Sequence, residues 1–289
     1  MRRDKELDPR VYDADHINDV LNEIQATFPK YFTEFCDSSP ELRFMSAISD
    51  HESEHPKYQV YMDLRGLDEF EENPSPFKGY TKSKCPIIRK CLMSNDEVMK
   101  QYKISFNQST GKQILSSVRK IAEFGIRYVA AFEEHKHEQS TSYEDLNLSE
   151  LTIEDYGCPG VIGFGIQSGL LFGLYPHAFA HRSQNAVWSL YFITNRKDFG
   201  IEDDSEFLMV RPEYSSCEQN YYYPADLFGF YALKLYLMLK QACLKKKITF
   251  ENKNRYIYLS AFTDFISELH HNDIMTLKWS SEHVENHWF

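Results

Sequence analysis

The segment that most constrains the fold is the apolar stretch "LFGFYALKLYLMLKQACL", which begins at Leu227. A run of this kind has to be buried along most of its length if it forms a helix in a soluble protein. Lys234 and Lys240 interrupt it, and the chain nowhere reaches the uninterrupted apolar length that crosses a membrane. We therefore predict a buried helix that begins at Pro224, with no membrane partner.

Apolar periodicity predicts further helices. Residues 13–36 and residues 111–133 place an apolar side chain at every third or fourth position, which is typical of one buried helix face. Asp15 is the predicted cap of the first of these helices. A third helix is predicted near residues 184–194.

Two stretches favour strands. In "KYQVYMDLRG", Tyr58, Val60 and Met62 alternate with polar neighbours, which predicts a strand ending near Gly66. The stretch "EFLMVRP" from Glu206 is a second candidate. The predicted fold class is therefore mainly α with a minor β component (α+β), with a small sheet in the N-terminal half and a helical C-terminal half.

The polar and acidic stretch from residue 134 to residue 150 indicates a boundary between two parts of the chain. We predict an N-terminal α+β region over residues 1–140 and a mainly helical C-terminal domain over residues 150–289.

Charge and cysteine usage bound the function. The net charge is −11, so a polyanionic partner requires a local concentration of basic side chains. The six cysteines contain no CxxC pair, which favours reduced thiols over a zinc or disulfide framework. The N-terminus is charged and has no apolar signal core, so a cytoplasmic location is expected.

The most unusual stretch runs from Gly163 to Leu190, "GFGIQSGLLFGLYPHAFAHRSQNAVWSL". Glycines that free the backbone amides at a helix N-terminus can bind a phosphate without reading bases. One alternative is a nucleotide-binding turn, which would need an upstream strand that is not evident here. The other alternative is close packing of two helices.

The stretch "PGVIGFGIQSGLL", followed by "YPHAFAHRSQNAVWSL", resembles the helix-hairpin-helix element of the DNA-glycosylase superfamily over about 30 residues. The resemblance implies contact with a DNA backbone through Gly163, Gly165 and the neighbouring Gln167 and Arg182. In that superfamily the hairpin may carry a lysine nucleophile and the return segment an aspartate. Gln167 stands in the first neighbourhood, and Arg182 with Ser183 in the second, so glycosylase chemistry is not implied.

A basic cluster lies downstream of the long apolar helix. Residues 240–255 contain six basic side chains, and Lys245, Lys246 and Lys247 are consecutive. We predict that these three lysines bind nucleic-acid phosphates if they share a surface with Gly163 and Arg182. The alternative is that they complement the dipole at a helix C-terminus.

Two metal-dependent alternatives remain open. Glu134 and Lys136, with Asp63, match the acidic and basic residue types of divalent-metal nucleases, although the helical period through this segment argues against a strand here. His283 and His287 are spaced to chelate one metal ion on a helix.

These observations favour a cytosolic protein that binds the nucleic-acid backbone or another partner, with an accessory of a restriction or phage-defence system as one setting. The first alternative is a metal-dependent nuclease or phosphodiesterase, and the second is a structural subunit that binds a protein partner. No cofactor is predicted, and a divalent metal enters only with the nuclease alternative.

Overall fold

The computed structural model describes residues 8–95, 99–200, 207–211, 216–219 and 223–277. This described part of the chain is 74% helical. The first eight helices are α1 (Ala14–Asp37), α2 (Pro40–Tyr61), α3 (Leu64–Asp68), α4 (Phe77–Lys84), α5 (Pro86–Met93), α6 (Met99–Gln108), α7 (Gly111–Ala130) and α8 (Glu134–Glu138).

Four further helices follow: α9 (Phe164–Leu174), α10 (Gln184–Ile193), α11 (Ala225–Lys245) and α12 (Arg255–Leu269). Short 3-10 turns lie at Pro9–Tyr12, Glu144–Leu146, Ser149–Thr152, Glu154–Tyr156 and Asn252–Asn254. An antiparallel ribbon pairs Leu208–Arg211 with Ser216–Gln219.

The α+β prediction with a small sheet in the N-terminal half is wrong, and the fold is mainly α. The predicted strand at residues 57–66 is instead the end of α2 and the start of α3. Tyr58 and Tyr61 are buried three positions apart, as on one helix face, whereas Val60 is 63% exposed. The stretch is compatible with the two-residue period of a strand and with the period of a helix. The alternation of Tyr58 with Val60 led to the wrong prediction of a strand.

The helix predictions are confirmed with adjusted ends. Residues 13–36 form α1, which begins after Asp13 rather than at a cap by Asp15. The start of α7 is fixed by a capping box. Thr110 Oγ1 accepts from the Gln113 amide at 3.2 Å, and Gln113 Oε1 accepts from the Thr110 amide at 2.9 Å.

The apolar stretch at Leu227 forms α11, with Pro224 as its N-cap. Its interior lysines reach the helix surface, where Lys234 Nζ donates to the Ser140 carbonyl at 2.6 Å. Ala225–Lys245 also has the length and composition of a membrane-crossing helix, and 61% of its apolar window is buried inside the structure.

The buried side chains form one continuous cluster from Val11 to Ile274. Aromatic pairs join the ends of the chain: Phe35 lies 5.2 Å from Phe262, and Phe44 lies 4.9 Å from Tyr258, measured between ring centroids. α1 and α2 therefore pack against α12, and α1 also packs against α10 and α11. The division into regions 1–140 and 150–289 stays a prediction.

Candidate functional site

The glycine-rich stretch contains a tight turn and α9. Gly160 has a φ of +72°, a conformation that favours glycine, in the turn between Cys158 and Ile162. α9 begins after Gly163, which is exposed and supplies no side-chain cap. Two 3-10 turns precede this turn along the chain, at Ser149–Thr152 and Glu154–Tyr156.

Two other glycines of α9 serve close helix packing. A Cβ atom at Gly169 would lie 2.3 Å from Ile87 Cδ1 of α5, and one at Gly173 would lie 2.6 Å from the Tyr58 ring of α2. These positions are one helix turn apart. Close packing of helices therefore explains the glycine pattern. This was the alternative to phosphate binding that the sequence left open.

Two residues of the predicted phosphate site lie in the interior. Gln167 is 3% exposed, its Nε2 donates to the Tyr156 carbonyl at 3.0 Å, and its Oε1 is buried without a partner in the described part of the chain. Arg182 is 5% exposed, and its backbone amide donates to Ser168 Oγ at 2.9 Å. Gly165 faces the Arg182 carbonyl. Of this group only Gly163 is fully open to solvent.

Lys245, Lys246 and Lys247 are exposed, but they lie in a different part of the molecule. Burial raises the pKa of the Cys36 thiol at the end of α1, and Lys246 opposes this shift, so Lys246 lies near that helix end.

Two carboxylates lie near Cys36, one at the end of α1 and one at the start of α2. Asp37 and Glu41 also act on Cys36, so both carboxylates lie near the thiol that Lys246 acts on. α9 contacts α2 further along: His55 Nδ1 is 2.8 Å from the Gly173 carbonyl oxygen. Fourteen positions separate Glu41 from His55, a rise of about 21 Å. The structure does not bring the three lysines to α9.

The three residues of the nuclease alternative have separate local contacts. Lys136 Nζ pairs with Glu133 at 2.6 Å, and Glu134 accepts a hydrogen bond from Asn252 Nδ2. Both lie in α8, where side chains two positions apart do not face each other. Asp63 caps α3 by accepting from the Gly66 amide at 2.9 Å. No hydrogen bond or ion pair among the described residues joins Asp63 to α8.

The structure does bring the acidic stretch of α8 against the basic stretch 240–255. Arg255 is fully buried, and its Nη2 donates to Glu138 Oε1 at 2.9 Å. Lys240 Nζ donates to the same oxygen at 2.8 Å and to Asn252 Oδ1 at 2.9 Å. One carboxylate thus serves two cations, and we call these residues the ionic cluster.

Burial and charge set the protonation states around the ionic cluster. Burial alone would raise the pKa of Glu138, but the hydrogen bonds from Lys240 and Arg255 hold it below its ordinary value. Burial, assisted by the nearby Arg255 charge, lowers the pKa of His137 to about 3. The same two causes lower the pKa of His177. At pH 7 the ionised carboxylate of the ionic cluster therefore lies near the neutral imidazoles of His137 and His177.

The predicted metal ligands His283 and His287 lie outside the described residues. Within the described ranges, no group of three or more His, Cys, Asp or Glu side chains could hold a metal ion. His270, which precedes these histidines in the sequence, contacts Tyr31 Oη at 2.8 Å and Asp273 Oδ2 at 2.9 Å. Burial raises the pKa of Tyr31 to about 12, so its hydroxyl is not activated as a nucleophile.

A further excess of positive charge lies between α3 and the start of α7. Residues 78–112 carry eight basic and two acidic side chains, a net charge of +6. The rest of the chain, with 24 basic and 41 acidic side chains, carries −17. This segment forms α4, α5, α6 and the first residues of α7.

Three cations of this segment define what we call the basic patch: Lys82, Lys84 and Arg89. All three are exposed, and no carboxylate among the described residues pairs with them. Lys90 is different, because its ammonium lies 2.9 Å from Glu54. Seven positions separate Lys82 from Arg89, so even an extended chain would keep them within about 25 Å.

α5, the helix that carries Arg89, packs against α9. Ile87, two positions before Arg89, fills the space opposite Gly169, and Ser105 of α6 fills the space opposite Gly160. Burial lowers the pKa of His181 to about 4, and Lys90 contributes to this shift. Lys90, the neighbour of Arg89 along the chain, is thus a basic side chain that lies near the glycine-rich stretch.

The comparisons with protein-family models, with curated proteins and with solved structures give no match to this chain. Function therefore has to be argued from this geometry. The basic patch was accessible from the sequence through a count of charges in successive windows, whereas the ionic cluster was not, because it joins residues more than 100 positions apart.

Proposed function

We propose that this protein binds the phosphate backbone of a nucleic acid through the basic patch. The observation that carries the proposal is the separation of charge: residues 78–112 hold +6 in a chain whose remainder holds −17. A concentrated group of exposed cations is what a phosphodiester backbone requires, whatever the overall charge.

The pairing of the other cations supports this choice of surface. Lys240 and Arg255 both pair with Glu138, and Lys253 pairs with Glu251 at 2.8 Å. Lys246 acts on the Cys36 thiol together with Asp37 and Glu41, so two carboxylates that would repel a phosphate lie in its neighbourhood. Lys82, Lys84 and Arg89 form no ion pair in the part of the chain that the structure describes.

Fluorescence anisotropy with a labelled DNA duplex tests the proposal. A variant carrying Lys82→Glu, Lys84→Glu and Arg89→Glu should bind at least about tenfold more weakly at 50 mM salt, because three phosphate contacts are lost. The slope of log K against log [salt] should become shallower by up to about 2.7 for the same reason.

The matched control carries Lys245→Glu, Lys246→Glu and Lys247→Glu, which changes the net charge by the same amount. We expect this control to bind within about threefold of the unmodified protein, through long-range charge alone. Equal loss in both variants would show that only net charge matters. Loss confined to the control would move the site to the end of α11. Either result contradicts the proposal, provided that circular dichroism shows both variants to be folded.

A further inference from the structure

The basic patch has no fully exposed aromatic ring beside it on which a base could stack. Residues 78–112 contain three aromatics, of which Phe106 is buried and Tyr80 and Tyr102 are half-buried. Tyr80 lies 5.1 Å from Phe70 and 5.9 Å from Tyr61, measured between ring centroids. Phe106 is buried beneath Lys78, whose Nζ lies 5.6 Å from the ring centroid. The hydroxyl of Tyr102 is itself buried.

The exposed apolar side chains of this segment are aliphatic. Met93, at the end of α5, is 68% exposed, and Ile104 of α6 is 47% exposed. Neither offers a flat ring to an unpaired base. Proteins that prefer single strands combine a basic groove with aromatic rings on which successive bases stack. The basic patch supplies only the first of these two elements.

The charge density of the nucleic acid then distinguishes a duplex from a single strand as the ligand. A duplex carries more charge per unit length than a single strand, so each neutralised phosphate releases more counterion from a duplex. For three phosphate contacts the expected salt slopes are about −2.7 for a duplex and about −2.1 for a single strand. At 50 mM salt this difference favours the duplex by roughly sixfold.

We infer that the ligand of the basic patch is double-stranded nucleic acid, bound through its backbone and without preference for sequence. This inference rests on the proposed function. Lys82, Lys84 and Arg89 contact phosphates, and no base is unstacked. Each base stacked on a ring would instead favour the single strand by about fivefold or more, which is enough to cancel the effect of charge density.

The test measures anisotropy with three labelled probes at about 50 mM salt, the low end of the range in which such contacts are resolved. The probes are a duplex of about 20 base pairs, one of its strands alone, and the same strand carrying 2-aminopurine, whose fluorescence reports stacking. We expect roughly sixfold tighter binding of the duplex, a steeper salt slope for the duplex, and unchanged 2-aminopurine fluorescence.

Each other outcome overturns the inference in a distinct way. Equal or tighter binding of the single strand, with a change in 2-aminopurine fluorescence, would overturn the choice of duplex and leave the proposed function standing. Duplex binding that persists in the Lys82→Glu, Lys84→Glu, Arg89→Glu variant would show that another surface makes the contact. Failure to bind either form would overturn the proposed function and this inference together.

Discussion

Replacing Glu138 with glutamine is expected to lower the free energy of unfolding by about 3 kcal/mol, because Arg255 would remain buried without its counter-charge. Arg255 Nη2 and Lys240 Nζ both contact Glu138 Oε1, at 2.9 and 2.8 Å. Two opposite charges about 4 Å apart attract by about 4 kcal/mol at an effective dielectric constant of 20. Removal of one member of a buried pair costs about 3–5 kcal/mol, and we take the lower end because Glu138 and Lys240 keep some contact with water.

The assay is urea unfolding followed by far-ultraviolet circular dichroism and tryptophan fluorescence at pH 7. The matched control is Glu133→Gln in the same segment, which removes an ion pair with Lys136 that is exposed on both sides. Such surface pairs contribute about 0–1 kcal/mol. A loss below about 1 kcal/mol for Glu138→Gln, or equal losses for the two variants, would refute the reasoning that the buried guanidinium depends on this carboxylate.

The pH dependence of the same variant has a defined sign. The pKa of Glu138 is held below its ordinary value of 4.5, so its contribution is fully present above that value. The contribution is lost as the pH falls through the lower pKa of the folded state. The stabilities of the unmodified protein and of Glu138→Gln should therefore begin to converge below the ordinary pKa of the carboxyl and should coincide below its lower pKa in the folded state.

Three further measurements test the packing. The pKa of His137 is lowered to about 3 in the folded state, so the unfolded chain takes up the proton first as the pH falls below 6.5, and the protein loses stability. Between pH 7 and pH 5, His137→Gln should therefore lose less stability than the unmodified protein. Urea titrations at both pH values measure this difference. Gly173→Ala should lower the free energy of unfolding by about 1–3 kcal/mol, because the new Cβ would lie 2.6 Å from the Tyr58 ring. Gly79→Ala is its counterpart: nothing lies within 4 Å of a Cβ there, and the substitution should stabilise α4 by about 0.5–1 kcal/mol. A Gly173→Ala protein as stable as Gly79→Ala would contradict the close approach of α9 to α2.

Periodicity predicted the helices whose apolar residues follow a single period. α1 and α7 were identified because their apolar stripes extend over five or more turns. The end of α2 was not, since its residues 57–62 satisfy an alternating and a helical period equally well. Val60 distinguishes the two only once its 63% exposure is known. Tertiary packing decided a question that six residues of local pattern left open.

The candidate site was less accessible for a different reason. The sequence shows that Lys240 and Arg255 are basic and that Glu138 is acidic, but it does not show that they meet. It grouped Lys240 and Arg255 with the exposed Lys245–Lys247 because all five are close along the chain. Burial then separated them: two cations point inward to a carboxylate, and three remain at the surface. Proximity in sequence was a poor guide to shared exposure.

The net charge of −11 also conceals where positive charge is available. An average over the chain combines residues 78–112, at +6, with a remainder at −17, and so argues against polyanion binding as a whole. Screening limits the reach of exposed charges to about 10 Å at ordinary ionic strength, so a phosphate at the basic patch responds mainly to nearby charges. The acidic remainder acts at longer range and opposes approach most strongly at low salt. Binding through Lys82, Lys84 and Arg89 should therefore depend less steeply on salt than three isolated phosphate contacts alone would give, because added salt also weakens the repulsion from the acidic remainder.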